Sequence, residues 1–205
     1  MRLLLIGPPG SGKGTQAVRI ARHYGIAHIS SGDLLRRHVA EGTGIGRAVA
    51  ACIERGDLVP DAIVMDILRK PVEAAAARGG YILDGFPRTV AQAQAAYEVA
   101  GRLGAEVRIA VHLTAGRTEL MKRLLARGAA SGRTDDTEHV INHRLDVFEA
   151  AAAPLLTYYA NRETLITVAG ERPVDDVTRT LVDRLDEARR HLGLPPQPAP
   201  ARTVA

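Results

Sequence analysis

Nine consecutive residues near the start of the chain, Gly7-Pro8-Pro9-Gly10-Ser11-Gly12-Lys13-Gly14-Thr15, combine what phosphate chemistry needs. Glycines let successive backbone N–H groups turn inward as an anion-binding nest. A helix expected to begin here adds the positive end of its dipole. Lys13 then reaches the outer phosphates of a nucleotide, as the lysine of a P-loop does. Gly10, Ser11, Gly12, Lys13, Gly14 and Thr15 are therefore candidate nucleotide ligands, and Lys13 is also a candidate catalytic group. The usual pattern places a hydroxyl residue directly after the lysine. Here Gly14 intervenes and the hydroxyl belongs to Thr15, so a Mg²⁺ ion arriving with the nucleotide is expected to be held mainly by phosphates and water. The plain alternative is a glycine-rich turn without ligand, and the joint presence of strand, spacing, lysine and helix argues against it.

Two further segments carry chemistry. His28-Ile29-Ser30-Ser31-Gly32-Asp33-Leu34-Leu35-Arg36 closes a second short apolar run. Ser31 is placed either to cap the next helix or to bond a ligand. Arg36 falls in that helix's first turns, where the helix dipole disfavours a cation, so it is suited to meet an anion. Asp84-Gly85-Phe86-Pro87-Arg88 closes a third run. Asp84 stands where a Walker-B carboxylate belongs, Gly85 permits close approach, Pro87 stiffens the turn and Arg88 projects from it. Gln92 lies one helical turn beyond Arg88, and its amide offers both a donor and an acceptor to a base edge.

These groups need elements to hold them. Short apolar runs without alternation at 2–6, 26–29, 81–83, 107–113 and 164–168 read as buried parallel strands. Longer helical patterns lie between them, at 13–24, 61–77, 89–103, 117–127, 137–160 and 174–191. The alternation predicts an α/β fold, a doubly wound five-stranded parallel sheet of P-loop NTPase type with helices on both faces. Residues 30–60 show helical segments and many glycines but no strand, and read as an insertion at one edge. Residues 127–133 read as a short loop between helices. The proline-rich end, from Leu194 through Pro200, is expected to be disordered.

The chain has 205 residues, net charge +4, 3% aromatic residues and one cysteine. The length suits one domain with small insertions. No apolar run approaches the roughly 20 residues of a membrane span, and no secretory signal precedes the glycine-rich turn. The basic balance suggests a nucleic-acid partner, but the arginines are scattered and there is no tryptophan for base stacking, which argues against one. Cys52 alone permits no intrachain disulfide and favours a reducing, cytoplasmic setting. Only three of the 27 basic residues are lysines, Lys13, Lys70 and Lys122. Alanine runs beside this arginine bias point to a GC-rich genome as the source of many of the arginines.

Residues 7–16, 30–36 and 84–88 resemble the signatures of the adenylate kinase family of nucleoside monophosphate kinases, and the stretch from Asp84 to Arg88 is highly specific to it. The resemblance continues through Arg123-Leu124-Leu125-Ala126-Arg127-Gly128, Ser131-Gly132-Arg133-Thr134-Asp135-Asp136 and Asn142-His143-Arg144-Leu145, covering nearly all of the chain except its tail. It implies reversible phosphoryl transfer, ATP + AMP ⇌ 2 ADP. It further implies that Arg36 and Arg88 hold the AMP phosphate, within an acceptor site of Ser31, Asp57, Leu58, Val59, Gly85, Phe86, Pro87 and Gln92. Lys13, Arg88, Arg133 and Arg144 would form the catalytic set, with Arg133 and Arg144 also reaching the acceptor. Arg123 would lie against the ATP adenine with Arg127 beside it, and the turn containing Arg172 would meet the same base through its backbone. Asp84 would orient waters around the Mg²⁺ of ATP.

The implied organisation is a core of residues 1–29, 60–126 and 137–193, an AMP-binding insertion at 30–59, a short lid at 127–136 and a tail at 194–205. A lid this short, with one cysteine in the chain, implies no structural zinc. His139 and His143, spaced four apart, lack a third ligand nearby, and Asp135 and Asp136 are placed to pair with lid arginines or cap the next helix. ATP, AMP and ADP are the implied partners of a monomer, with no nucleic acid or membrane. Two other readings stand beside this one: a UMP/CMP kinase on the same scaffold, disfavoured by the Ser31 hydroxyl, and a non-catalytic P-loop nucleotide-sensing switch, disfavoured by arginines at two phosphate sites.

Overall fold

In the computed structural model, which describes residues 1–162 and 164–195, five strands form one parallel sheet flanked by eight helices. In chain order these are β1 (Arg2–Ile6), α1 (Lys13–Tyr24), β2 (Ala27–Ser30), α2 (Ser31–Ala40), α3 (Gly44–Arg55), α4 (Asp61–Ala77) and β3 (Tyr81–Asp84). Then come α5 (Val90–Arg102), β4 (Ile109–Thr114), α6 (Arg117–Ser131), α7 (Glu138–Ala160), β5 (Thr164–Ala169) and α8 (Val174–His191). The strand order is β2-β3-β1-β4-β5. The expected doubly wound α/β architecture is thus present, with strand ends within one residue of the sequence reading except at the start of β4, which lies two residues later.

Burial explains why the strands read as continuous apolar runs. Leu3, Leu4, Leu5 and Ile6 are all buried, because β1 lies in the middle of the sheet with helices over both faces. One face packs Leu3, Leu5, Ile82 and Val111 against Ile20 of α1 and Leu181 and Leu185 of α8. The opposite face packs Leu4, Leu83 and Ala110 against Leu68 of α4, Ala93 of α5 and Leu155 of α7. A smaller cluster, Leu120 and Leu124 with Ile141 and Leu145, clamps α6 to α7.

Parallel register brings every strand's carboxyl end to one edge. Leu5 pairs with Asp84, and Asp84 with Ser30, so the loops after β1, β2 and β3 emerge side by side. The turn after β5 joins them, since Thr114 pairs with Ala169. Ligands of open α/β sheets bind at this edge, where the strand order reverses.

Two local readings are corrected. Residues 127–131 are not loop but the last turn and a half of α6, which ends only at Gly132, a left-handed C-cap with φ +65°. Arg127, Ala129 and Ala130 are good helix formers, and Gly128 does not interrupt the run. The link between α6 and α7 is therefore residues 132–137. Second, Ser31 is not the cap of α2. Ser30 caps it, its hydroxyl accepting the Asp33 N–H at 3.2 Å. The disorder expected for the tail falls, from residue 196 onward, outside the described residues.

Candidate active site

The loop between β1 and α1 forms the floor of the site. Helix α1 starts at Lys13 with no side-chain cap and no acid in its first turn; Gly12 precedes it at φ +92°, a conformation favouring glycine. Its first N–H groups are thus left for an anion. Lys13 Nζ donates to the Gly7 and Pro8 carbonyls at 2.8 and 2.9 Å, folding back over its own loop. Burial pulls its pKa down to about 8; Asp84 opposes this, while Arg88, Arg144 and Arg127 add to it. The buried Ser11 hydroxyl has no hydrogen-bond partner, an orphaned polar atom inside the cradle.

Above this floor lies a cleft of about 960 Å³, near the top of the range for single small-molecule pockets. Eight cationic side chains line it against three carboxylates, an imbalance that calls for a polyanion. Arg88 lines both this cleft and the smaller cavity beside it. Burial and the neighbouring Arg144 lower its pKa. Its Nε donates to the Gly85 carbonyl at 3.0 Å, and it has no carboxylate partner within 4 Å among the described residues. Arg144 is likewise pulled down by burial, although Asp135 and Asp136 pair with it at 3.0 Å each.

Asp136 is the anchor of the link at 132–137. It takes Arg127 in a bidentate pair at 2.6 and 2.8 Å as well as Arg144, and both Asp135 and Asp136 are buried. The expected pairing with lid arginines is found; the expected helix cap is not, because Thr137 holds the capping position of α7. Arg133 and Arg36 approach one shared carboxylate, Asp33, at 3.8 and 2.6 Å. That bridge joins the α6–α7 link to α2. Arg123 of α6 donates to the Gly170 carbonyl at 2.8 Å and is steered by Glu119 at 2.7 Å, which sets its guanidinium beside the turn after β5. Arg172 of that turn bonds Thr180 at 2.8 Å.

A smaller cavity of about 50 Å³ adjoins the cleft. Ser31, Asp57, Leu58, Val59, Phe86 and Gln92 line it, with Arg36, Gly85, Arg88 and Arg144 shared between the two spaces. Ser31 is 1% exposed and donates to the Asp84 carbonyl at 3.3 Å. The Asp57 carboxylate is engaged elsewhere, by Arg55 at 2.7 Å and His143 at 2.8 Å. The Gln92 amide is also engaged, with Arg88 N–H and with Asp61. Pro87 and the phosphate-loop residues Gly10, Ser11, Gly12, Lys13, Gly14 and Thr15 line the larger space. Every site residue inferred from the sequence thus borders one of two adjoining cavities.

The sequence reading missed Asp33, Asp61, Glu119 and His28. The first three are carboxylates that hold a cationic or amide group already singled out, and Asp33 and Glu119 are legible as helix partners three and four residues from their arginines. His28 borders the cleft with its buried Nε2 unpartnered, 3.9 Å from the Asp84 carboxylate. No sequence spacing links those two; only the pairing of β2 with β3 does.

Asp84 is one carboxylate beside a phosphate cradle, 3.6 Å from where a Cβ on Gly14 would stand. Among the described residues no group of three or more His, Cys, Asp or Glu is placed to hold a metal ion. One hard oxygen donor near phosphates fits a Mg²⁺ that comes as part of its nucleotide, with the phosphates and water completing its shell.

A glycine cradle on the central strand, beside a turn on the neighbouring strand that presents Arg88, under a cleft lined by further arginines, defines a P-loop phosphotransferase acting on nucleotides. The family model described as adenylate kinase matches residues 5–164. An adenylate kinase of Methylobacterium radiotolerans is 46% identical over 193 residues, covering 91% of this chain and 96% of the relative. One of Kocuria rhizophila is 40% identical over 185 residues, covering 90% and 98%. Adenylate kinase 1 of a Nostoc species is 43% identical over 180 residues, covering 88% and 96%. The chain belongs to the adenylate kinase family and is a nucleoside monophosphate kinase.

Proposed function

We propose that this chain catalyses ATP + AMP ⇌ 2 ADP and so balances the adenine nucleotide pool. The observation that carries the reading is the surplus of cations shared by two adjoining cavities, one floored by the phosphate loop and one behind Arg36 and Arg88. A single-nucleotide switch needs only the first.

In this reading an AMP phosphate oxygen attacks the γ-phosphorus of ATP, the bond from that phosphorus to the β–γ bridging oxygen breaks, and ADP leaves on each side. The attacking oxygen is already anionic, so no general base is needed. Catalysis is positioning plus charge neutralisation. Arg36 and Arg88 hold the acceptor phosphate, Lys13 follows the transferring group, and Arg133 and Arg144 close over it. Arg123 and the 170–173 turn receive the donor base, with Arg127 supporting them. The Mg²⁺ of ATP supplies charge neutralisation at the phosphates, with Asp84 ordering its waters. Residues 30–59 serve as the acceptor insertion, and residues 127–136, the end of α6 and most of the 132–137 link, serve as the lid. We read the active unit as a cytoplasmic monomer without nucleic-acid or membrane partners. No described helix is long and apolar enough to cross a membrane.

A coupled assay for ADP, run with ATP plus AMP, UMP or CMP in turn, tests this. AMP is expected to be the preferred acceptor by at least tenfold in kcat/KM. Faster turnover of a pyrimidine monophosphate would replace it with the pyrimidine reading, and no turnover with any acceptor would favour a switch.

A further inference from the structure

Gln92 is 2% exposed and borders the smaller cavity, so its amide is the group best placed there to read a base edge. An unrestrained amide reads poorly, because turning it by 180° exchanges carbonyl for NH₂ and reverses the pattern offered. Here both ends are tied. The Arg88 backbone N–H donates to Gln92 Oε1 at 2.7 Å, and Gln92 Nε2 donates to Asp61 Oδ1 at 2.7 Å. A backbone N–H can only donate and a carboxylate can only accept, so the assignment of O and N follows from chemistry. The reversed amide would set donor against donor and acceptor against acceptor, on a side chain that is itself buried and has little water to turn to. One lone pair on Oε1 and one N–H on Nε2 remain for a ligand.

Asp61 is the half of this tie that a side chain provides. It stands in the first turn of α4, while Gln92 stands in the first turn of α5, and the two are joined only in the fold. We propose that Asp61 is a positioning residue that holds the Gln92 amide in one orientation, and thereby makes the acceptor site discriminate 6-amino from 6-oxo purine monophosphates. This rests on AMP being the acceptor, as proposed above. The Watson–Crick edge of adenine offers a donor at N6 beside an acceptor at N1. Hypoxanthine and guanine offer the reverse, an acceptor at O6 beside a donor at N1. A fixed amide matches one pattern and leaves two mispaired groups against the other.

A first-turn acid also stabilises its helix through the dipole, which is the merely structural role for Asp61. Kinetics separate the two. Wild type, Asp61→Ala and Asp61→Asn are assayed at saturating ATP with AMP and with IMP as acceptors, and the KM for ATP is measured for each. Wild type is expected to use AMP well over IMP. Asp61→Ala is expected to raise the KM for AMP about tenfold, to lower the AMP-over-IMP ratio of kcat/KM by a similar factor, and to leave the KM for ATP within twofold. Asp61→Asn keeps an acceptor oxygen and is expected to stay within about threefold of wild type in that ratio.

An unchanged ratio in Asp61→Ala overturns the inference, as does loss of the ratio in Asp61→Asn or equal weakening of AMP and ATP. Wild type accepting IMP as readily as AMP overturns it as well. Wild type that does not phosphorylate AMP at all overturns the proposed function instead, which keeps the two failures apart. If Asp61→Ala does not fold, the ¹⁵N-edited side-chain amide resonances of Gln92 decide the matter in wild type. Slow rotation and a downfield proton bonded to a carboxylate are expected; averaged, solvent-like resonances overturn the inference.

Discussion

Lys13 and Arg88 are cations held where burial works against their charge. For Lys13 the consequence is a pKa of about 8. Its proton is fully present below that value and is lost as pH rises through it. ATP phosphates are already ionised in this range, so kcat/KM for ATP is expected to decline above about pH 8, following the free enzyme. Replacing the group outright, as Lys13→Met, is expected to lower kcat by about 10²–10³ with little change in ATP affinity, because charge develops in the transition state more than in the ground state. Steady-state kinetics alongside circular dichroism check both, and a variant retaining a tenth of wild-type kcat would contradict the role. Arg88 has no carboxylate partner among the described residues, so its charge is available to an anionic ligand. Arg88→Ala is expected to weaken AMP by about 10–100-fold, the worth of a charge-assisted hydrogen bond, while ATP binding stays within twofold. Isothermal titration with each nucleotide separately measures this, and equal loss for both would refute the acceptor role.

At the scale of elements, α6 and its link to α7 act as one arginine carrier. Arg127 lies in the last turns of the helix, Arg133 in the link and Arg144 in α7, and Asp136 ties the first to the third. Gly128 makes that tie possible. It is helical, and a glycine in such a place ordinarily costs about 1 kcal/mol relative to alanine. Here a Cβ would come within 2.9 Å of the Asp136 carbonyl oxygen and 3.0 Å of its Cβ, so α6 and the link pass too closely for a side chain to fit without a shift. Gly128→Ala is therefore expected to lower stability by about 1 kcal/mol despite its better propensity, and to lower kcat about tenfold by displacing Asp136 from both arginines. Thermal unfolding and kcat read the two effects. A stabilised variant with normal kcat would show that the link yields freely.

The whole molecule gathers eight cations at one edge of the sheet, from helices, turns and loops far apart in the chain. Like charges so concentrated repel one another, and a single ligand that neutralises them all gains from every one. A bisubstrate mimic, two adenosines joined by five phosphates, is expected to bind about 10²–10⁴ more tightly than ATP or AMP, since the second half binds at the effective concentration set by the first. It is also expected to reduce the radius of gyration in solution scattering, as the 132–137 link and the 30–59 insertion close to exclude water. Binding no tighter than ATP would mean that the two cavities do not face one another.

The residues themselves determined much of this. The phosphate loop is contiguous, so spacing alone predicts it, and the buried strands announce themselves as apolar runs because both faces of the sheet are covered. The acceptor turn from Asp84 to Arg88 is contiguous too. What the sequence could not supply is who holds whom. Ser31 and Ser30 are equally able to cap a helix, and only the β2–β3 register decides that Ser30 does so while Ser31 reaches the Asp84 carbonyl. Local composition at 127–133 suggested a loop, yet packing of Leu120 and Leu124 on α7 lets the alanines carry α6 onward to its cap at Gly132. The carboxylates Asp33 and Asp61 meet partners on other elements, Arg133 and Gln92. Hydrogen-bond and charge partners far apart in sequence are chosen by tertiary packing, and no periodicity in the chain encodes them.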